Sequence, residues 1–547
     1  MLHLQINGHD LEIKPGKSLF DYAEGMGLRV PTTCKKQGKC KECLMEVVEG
    51  MELLSPMSPQ EEHLKGAFRL SCRCTVEGTS GNIRCHTMRR AAMRIEHKAL
   101  ELPIQKRPQI LDPAVTRDGD RILLDGREID RSEGPILGMA MDLGTTTVVV
   151  RLLNLETGDL VANHAFENPQ RFGGSDVMAR IQYDTEHKGR VLQRTLLGYL
   201  THAIEDFPCD PLHIYELVVV GNATMRDLFF GLNVHSIGQT PYQSITEIEM
   251  ADGQRESTSL SIPAKRLRLP IHPDARVYAL PLISGHVGAD TTACLLAIDI
   301  AEEERTIALM DIGTNTELII GNKEKLIAAS CPAGPAFEGG AIACGMPGLE
   351  GAIESVRITE SGSFDCKVIG DKSPAGICGS GLIELLSELL RTEQMNGLGR
   401  FEDDIERIEV DEQHNIYLLE SDINELAQAK GANASGIQIA MDRYGIAADD
   451  IDAFYLAGGF GRYLNTHAAR RIGLVPDIPD ERIIQMGNAS IEGACIALLS
   501  TSRRAELETL VKTIEHCRLE TDPRFFDYFV EGCQFNQMPA ARSGACD

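Results

Sequence analysis

The chain contains 547 residues, enough for three or four domains of ordinary size. Its 80 acidic residues outnumber the 54 Lys and Arg, and the net charge of −26 has the wrong sign for binding nucleic acid through its phosphates. Aromatic residues make up only 5% of the chain and Trp is absent, which also excludes base-stacking platforms. We see no signal-peptide pattern and no uncharged apolar run of about 18 residues, so we expect a cytoplasmic protein.

Residues 1–92 form the first predicted domain, which is rich in cysteine. Without a secretory signal, the 16 Cys of the chain favour metal ligands or reduced thiols over disulfides. Alternating strands on either side of Asn7-Gly8 predict a β-hairpin. A short helix over residues 18–27 should follow, and then a loop that carries three cysteines.

The spacing Cys34-x5-Cys40-x2-Cys43, together with the distant Cys72, is typical of a 2Fe-2S cluster. The order of hairpin, helix and cysteine loop also resembles the β-grasp ferredoxin fold. A zinc knuckle remains an alternative, although it usually needs a second short Cys spacing. Cys74 competes with Cys72 as the fourth ligand, and we prefer Cys72 because RLSC matches the ferredoxin position better.

The loop around these cysteines has further features that suit a cluster. Gly38 lets the backbone bend closely, so that free N–H groups can bond cluster sulfurs. Four basic residues are expected to offset the negative charge of the cluster: Lys35, Lys36, Lys39 and Lys41.

The composition changes twice after residue 92. Residues 93–134 are rich in charges and turn formers, which predicts a linker with one small hairpin near residues 121–129. From residue 135, apolar strands alternate with amphipathic helices, as in α/β domains. We predict two half-domains, 135–305 and 306–500, followed by a C-terminal extension over 501–547.

Two similar turns follow apolar strands, with the sequences DLGTTT at 142–147 and DIGTNTE at 311–317. An Asp at a strand end can hold Mg²⁺ through water, and the Gly lets the next N–H groups and Thr hydroxyls bind phosphate. A third turn, LAGGFG at 456–461, offers bare backbone to adenine and ribose. The predicted nucleotide-binding residues are Asp142, Gly144, Thr145, Thr146, Asp311, Gly313, Thr314, Asn315, Gly458, Gly459 and Phe460.

The repeated turns are accompanied by two Gly/Ala-rich helices, GHVGADTTACLLAI and GNASIEGACIALLS. This duplication resembles the actin, sugar-kinase and heat-shock-chaperone ATPase superfamily. The predicted fold class is therefore an α+β multidomain protein: a β-grasp 2Fe-2S ferredoxin domain, a linker and a duplicated actin-like α/β ATPase domain.

The combination of these domains resembles the reductive activators of corrinoid proteins. Further stretches carry the resemblance: ENPQRFGGSDVMARI, VVGNATM, GHVGADTTA, CPAGPAFEGGAI, GICGSGLIEL and GNASIEGA. The C-terminal tail lacks the dense cysteine runs of members with two 4Fe-4S clusters. The chain is therefore similar to the 2Fe-2S branch, which includes activators of acetogenic O-demethylases and of the corrinoid iron–sulfur protein.

The resemblance implies a homodimer that binds ATP and Mg²⁺ and receives electrons from a low-potential donor. It would pass one electron from its 2Fe-2S cluster to the Co(II) corrinoid of a methyltransferase corrinoid protein and restore Co(I). Asp142 and Asp311 would hold Mg²⁺, directly or through water. Glu317 and Asp290 are candidates for orienting the attacking water, and ordinary polar groups beside a helix start are the alternative.

Three other functions remain to be compared with this one. An ATP-driven electron donor to 2-hydroxyacyl-CoA dehydratases would use Cys378, but no second ligand accompanies it and a buried helix-cap thiol explains it better. A metabolite kinase whose ferredoxin domain only senses redox state would need a small-molecule pocket. An actin-like filament protein is disfavoured by the cluster and by the strong negative charge.

Overall fold

A computed structural model describes residues 1–88, 111–402, 405–459 and 464–538. These residues form two compact units, of which the first comprises 1–88, 111–289 and 497–501 and the second comprises 290–496 and 502–538. The first unit thus contains both the ferredoxin region and the first half-domain, while the domain boundaries drawn from the sequence stay predictions. Among the helices of the described ranges, none has the length and apolar character needed to cross a membrane.

The cysteine-rich region folds around a five-stranded mixed sheet. Its elements are β1 (Leu2–Ile6), β2 (His9–Ile13), α1 (Leu19–Gly25), β3 (Leu44–Glu49), β4 (Phe68–Leu70) and β5 (Gly81–Thr87). The strand order is β2-β1-β5-β3-β4. The predicted hairpin forms because Asn7 and Gly8 both take the left-handed conformation of a two-residue turn, with φ of 51° and 81°. A capping box of Ser18 and Asp21 starts the predicted helix.

The described part of the predicted linker carries a small antiparallel sheet. Its strands are β6 (Val115–Asp118), β7 (Arg121–Leu124) and β8 (Arg127–Arg131). The predicted hairpin is present as β7 and β8, which turn at Asp125-Gly126, and β6 adds a third strand to it. Residues 93–110 of that linker lie outside the described residues.

The first half-domain is built on a six-stranded sheet. Its elements are β9 (Leu137–Leu143), β10 (Thr147–Asn154), β11 (Leu160–Glu167), α2 (Val177–Glu186), α3 (Val191–Glu205), β12 (Ile214–Val220), α4 (Ala223–Phe230), α5 (Ile245–Ala251), β13 (Leu260–Pro263) and β14 (Arg276–Ala279). The strand order is β11-β10-β9-β12-β14-β13. Strand β9 therefore lies between the antiparallel β10 and the parallel β12.

The second half-domain contains another six-stranded sheet and several smaller ones. Its elements are α6 (Ala289–Ala297), β15 (Ile307–Ile312), β16 (Thr316–Gly321), β17 (Leu326–Cys331), β18 (Ala352–Ile358), β19 (Phe364–Val368), β20 (Gly376–Ile377), α7 (Gly379–Arg391), β21 (Arg407–Asp411), β22 (Ile416–Leu419), α8 (Glu420–Tyr444), β23 (Ala453–Ala457), α9 (Thr466–Arg471), β24 (Ile483–Gly487), α10 (Ala489–Leu499), α11 (Thr501–Leu510), β25 (Glu515–His516) and α12 (Phe525–Gly532). The large sheet has the order β24-β23-β15-β16-β17-β25.

The two large sheets have the same internal topology. In each, three antiparallel strands are followed by two parallel strands: β11-β10-β9-β12-β14 in the first and β17-β16-β15-β23-β24 in the second. Asp142 and Asp311 occupy the same position, the last residue but one of the central strand. The predicted duplication is therefore confirmed.

Helices α6 and α10 touch each other through backbone at one point. A Cβ on Gly493 of α10 would overlap the carbonyl group of Ala293 in α6, so no side chain fits between them. The small residues of these two helices thus serve a close helix crossing, as their Gly/Ala-rich composition suggests.

We expect Gly493→Ala to lower the free energy of unfolding by about 1–3 kcal/mol, because the two helices must separate to admit the methyl group. Gly25→Ala in α1 is the matched control, since a Cβ there meets no atom within 4 Å. Denaturant titration of both variants measures the effect. Equal unfolding midpoints for the two variants would show that the crossing is loosely packed.

Candidate functional site

The four predicted cluster ligands come together in the ferredoxin region. Cys34, Cys40 and Cys43 lie on the loop between α1 and β3, and Cys72 follows β4. The thiols are paired by hydrogen bonds, Cys34 with Cys40 and Cys43 with Cys72. The two pairs also interact electrostatically, through Cys34 with Cys72 and through Cys40 with Cys43.

The backbone of the loop turns several N–H groups toward these sulfurs. Burial acts to raise the pKa of Cys34, but hydrogen bonds from nearby backbone groups and from the Cys40 thiol outweigh it and lower that pKa to about 7. The pKa of Cys72 is also lowered, first by the hydrogen bond with the Cys43 thiol and also by the backbone of Gly38. These contacts favour the thiolate, the form that binds iron, at Cys34 and Cys72, while burial raises the pKa of Cys40 and the hydrogen bond with Cys72 raises that of Cys43.

Cys74 and Cys85 lie in a different environment. Both are buried, and burial raises the pKa of each thiol to about 12. The thiols of the four predicted ligands interact with one another, whereas the charged groups that act on Cys74 are Arg69, Glu61 and Glu77. The donor set therefore fits a 2Fe-2S cluster held by Cys34, Cys40, Cys43 and Cys72, and the choice of Cys72 over Cys74 stays a prediction.

The first Asp-Leu-Gly-Thr turn is fixed by side chains from far along the chain. Asn168 Nδ2 donates to the Gly144 carbonyl at 2.8 Å, and the Arg180 guanidinium donates to the Thr145 carbonyl at 2.6 Å. Asn222 Nδ2 donates to the Thr145 hydroxyl at 3.1 Å. Because a trans peptide points its carbonyl and N–H in opposite directions, binding the carbonyls leaves the next N–H groups directed away from these side chains.

The sequence analysis assigns no role to Asn168, Arg180 and Asn222, although all three fall in stretches that carry the family resemblance. Arg180 and Asn168 are fully buried. A fully buried charged side chain such as Arg180 is rare unless it is paired, and this points to a role in fixing the turn. Thr146 accepts a backbone hydrogen bond from Asn168 at 2.7 Å, and Asp142 is half-buried at the end of β9.

Hydrogen bonds from other parts of the chain also fix the second turn. Thr314 Oγ1 donates to a carboxylate oxygen of Glu338 at 2.9 Å, and the Thr314 carbonyl accepts from the backbone of Gly334 at 2.9 Å. Gly313 lies beside the same Glu338. Asn315 completes the turn before β16.

The Gly-rich turn after β23 lies against this second turn. Gly458 has φ of 101°, and a Cβ there would overlap the Ile312 carbonyl and lie 3.0 Å from Asp311 Oδ1. Only glycine meets both demands. Gly459 follows in a half-buried position, and Phe460 lies outside the described residues.

Three acidic side chains gather at the second turn. Burial, and then repulsion by Asp290, raises the pKa of Asp311 to about 7. Burial raises the pKa of Asp290 to about 6, and burial with repulsion by both aspartates raises the pKa of Glu317 well above its usual value. Cys294 Sγ donates to Asp311 at 3.6 Å, and Ser490 also hydrogen-bonds this carboxyl.

This acidic cluster has the chemistry of a divalent-cation and water site. Carboxylate oxygens are the ligands that Mg²⁺ prefers, and a bound cation would relieve their mutual repulsion. A carboxyl whose pKa is raised by its surroundings is also able to exchange a proton near neutral pH. In the described ranges, no group of three or more His, Cys, Asp or Glu converges tightly enough to enclose one metal ion.

Cys378, the cysteine that a dehydratase activator would use, is buried at the start of α7 with 2% of its surface exposed. Its thiol bonds the Ile353 carbonyl and the Ser380 hydroxyl. These contacts agree with the interpretation of Cys378 as a buried helix-cap thiol.

Known family models match the chain in three consecutive regions. Residues 2–77 match the 2Fe-2S iron–sulfur cluster binding domain, 137–303 match the RACo middle region, and 305–543 match the C-terminal ASKHA domain of RACo. The chain belongs to the RACo family, the reductive activators of corrinoid proteins. The predicted family and the predicted fold class are thus confirmed.

Individual relatives agree with the RACo assignment over nearly the whole chain. The corrinoid activation enzyme RamQ of Eubacterium limosum is 29% identical over 96% of this chain and 97% of its own length. A [Co(II) methylated amine-specific corrinoid protein] reductase of Methanosarcina barkeri is 23% identical over 72% of this chain and 76% of its own. The solved structure of a reductive activator for corrinoid, iron–sulfur protein has a TM-score of 0.71 and 26% identity, and the match covers 98% of this chain and 99% of that one.

We expect Cys72→Ala to lose its iron and its visible 2Fe-2S absorption, while Cys74→Ala keeps both. The reason is that only Cys72 exchanges hydrogen bonds with another predicted ligand. Iron analysis and visible spectra of the purified variants check the result. The reverse pattern would make Cys74 the fourth ligand.

We expect Glu317→Gln to raise the free energy of unfolding at pH 8, in EDTA and without nucleotide, by about 1 kcal/mol or more. Folding raises the Glu317 pKa, so the cost of ionising this group is absent below the unfolded pKa and grows as the pH rises. The amide cannot ionise, and the advantage of the variant should therefore shrink toward pH 4. Glu324→Gln, at an exposed position, is the control. A gain that does not depend on pH would contradict this explanation.

Proposed function

We propose that this protein is an ATP-dependent reductive activator that transfers one electron to the inactive Co(II) corrinoid of a methyltransferase corrinoid protein and so restores Co(I). The observation that carries the proposal is the presence, in one chain, of a four-thiol cluster loop and two equivalent Asp-x-Gly-Thr turns. The same function is supported by the relatives, whose names describe corrinoid activation or the reduction of a corrinoid protein.

The reaction needs an energy source as well as an electron. When bound, a plant-type 2Fe-2S cluster supplies single electrons at a potential of about −400 mV, while the Co(II)/Co(I) couple of corrinoids generally lies lower. Moving one electron uphill costs about 2.3 kcal/mol for each 100 mV. Nucleotide binding and hydrolysis in the duplicated domain are the proposed source of this free energy.

The residues of the duplicated domain divide the work of handling the nucleotide. Asp142 and Asp311 are proposed to hold Mg²⁺, directly or through water. Glu317 and Asp290 would orient the attacking water, consistent with their raised pKa values. The adenosine would contact Gly458, Gly459 and Phe460, and the phosphates would contact Gly144, Thr145, Thr146, Gly313, Thr314 and Asn315.

The other parts of the proposal concern the partners. A low-potential electron donor would reduce the cluster, a corrinoid protein with a Co(II) cobamide would receive the electron, and the activator would act as a cytoplasmic homodimer. These statements come from the family resemblance and extend what the relatives' names say.

The proposal predicts that the reduced protein, mixed anaerobically with a purified Co(II) corrinoid protein of a methyltransferase system, generates the Co(I) absorption band only when Mg-ATP is present. The 2Fe-2S spectrum should recover its oxidised form in step with that band. Asp311→Asn and Cys72→Ala are the control variants, because they disable the nucleotide site and the cluster separately.

An intact cluster with ATPase activity that no corrinoid protein alters would contradict the activator function. It would favour the redox-sensing metabolite kinase, which predicts stoichiometric phosphate transfer to a small molecule.

A further inference from the structure

One acid lies buried within the basic cluster loop. Glu42 stands between the ligands Cys40 and Cys43, and only 5% of its surface is exposed. Its carboxylate accepts a hydrogen bond from the Thr33 hydroxyl at 2.8 Å and lies 3.4 Å from His202 Nε2. Two lysines of the loop make their polar contacts with other groups: Lys36 pairs with Asp21 and Glu24, and Lys41 donates to the Gln60 carbonyl.

Helix α3 of the first half-domain provides a slot for this carboxylate. A Cβ on Gly198 would lie 2.7 Å from Glu42 Cγ, so the side chain fits only because residue 198 is glycine. His202 is one turn further along the same face, and its Nδ1 lies 3.3 Å from a carboxylate oxygen of Glu205. The slot, defined here as Gly198 and His202, therefore belongs to the ATPase part of the first unit.

The position of Glu42 gives its charge a direct effect on the cluster. Glu42 lies two residues after Cys40 and directly before Cys43, and its side chain is buried, so water screens its charge only weakly. A buried negative charge beside a cluster opposes the addition of an electron to that cluster. Net charge and the groups around the ligands are known to set the potentials of iron–sulfur clusters.

We propose that Glu42, held in the slot of α3, is a positioning residue that lowers the reduction potential of the 2Fe-2S cluster, so that the first half of the ATPase domain sets the strength of the reductant. This inference deepens the proposed function and rests on its cluster. If α3 did not receive the side chain, water would screen the carboxylate and weaken its effect.

Potentiometric titration of the full chain tests this directly, with the visible spectrum of the cluster as the readout and neither nucleotide nor corrinoid protein present. Glu42→Gln keeps the size of the side chain and removes its charge. We expect its equilibrium constant for reduction to rise about tenfold, which for one electron is a positive shift of about 59 mV.

Two further variants separate the slot from the charge. Gly198→Ala keeps Glu42 but fills its slot, and we expect a positive shift in the same direction. Glu49→Gln removes an exposed carboxylate of the same domain that pairs with Arg84, and we expect no shift. An unchanged cluster spectrum shows that each variant retains its fold.

A Glu42→Gln potential equal to that of Glu49→Gln would overturn the proposal. A wild-type potential in Gly198→Ala would overturn the role of α3. Because the titration needs neither ATP nor corrinoid, these outcomes are distinct from failure of the proposed function, which would appear as a normal potential without corrinoid reduction.

Discussion

The structure depends on two tight turns whose carbonyl groups accept hydrogen bonds from other parts of the chain. A turn that offers N–H groups to phosphate must hold its carbonyls elsewhere, and Asn168 and Arg180 do this for the first turn. In the second turn, the Gly334 N–H donates to the Thr314 carbonyl, and Glu338 accepts from the Thr314 hydroxyl. The duplicated sheets place both turns at the end of an equivalent central strand, and the rest of each half-domain supports that placement.

The acidic cluster at the second turn is energetically unfavourable when its carboxyl groups are ionised. Burial raises the pKa values of Asp290, Asp311 and Glu317, and repulsion by neighbouring carboxylates raises those of Asp311 and Glu317 further. Cys294 and Ser490 donate hydrogen bonds to Asp311 and so offset part of this cost. A bound cation or a reacting water would relieve this cost, which is why the proposed function assigns the nucleotide chemistry to this cluster.

Local patterns were sufficient to predict the parts of the molecule that are made by neighbouring residues. The Asn7-Gly8 turn and the duplicated Asp-x-Gly-Thr turns follow from short motifs with known conformational preferences, and the ferredoxin-type cysteine pattern predicts that Cys72 joins the loop of Cys34, Cys40 and Cys43. The bracing contacts were not predictable in this way. Arg180 lies 35 residues beyond Thr145 in the sequence, and a single sequence contains no signal that the two will meet.

The cluster loop shows the same limit in its electrostatics. Its lysines suggest a positive surrounding for the cluster, yet Lys36 and Lys41 bind other groups, while Glu42 lies inside. Two properties of the site, the ionisation of its thiols and the reduction potential of the proposed cluster, depend on different groups of the chain. Hydrogen bonds from the backbone and from neighbouring thiols favour the thiolates of Cys34 and Cys72, the form that binds iron. Side-chain charge, here that of the buried Glu42, is then free to act on the reduction potential of the proposed cluster.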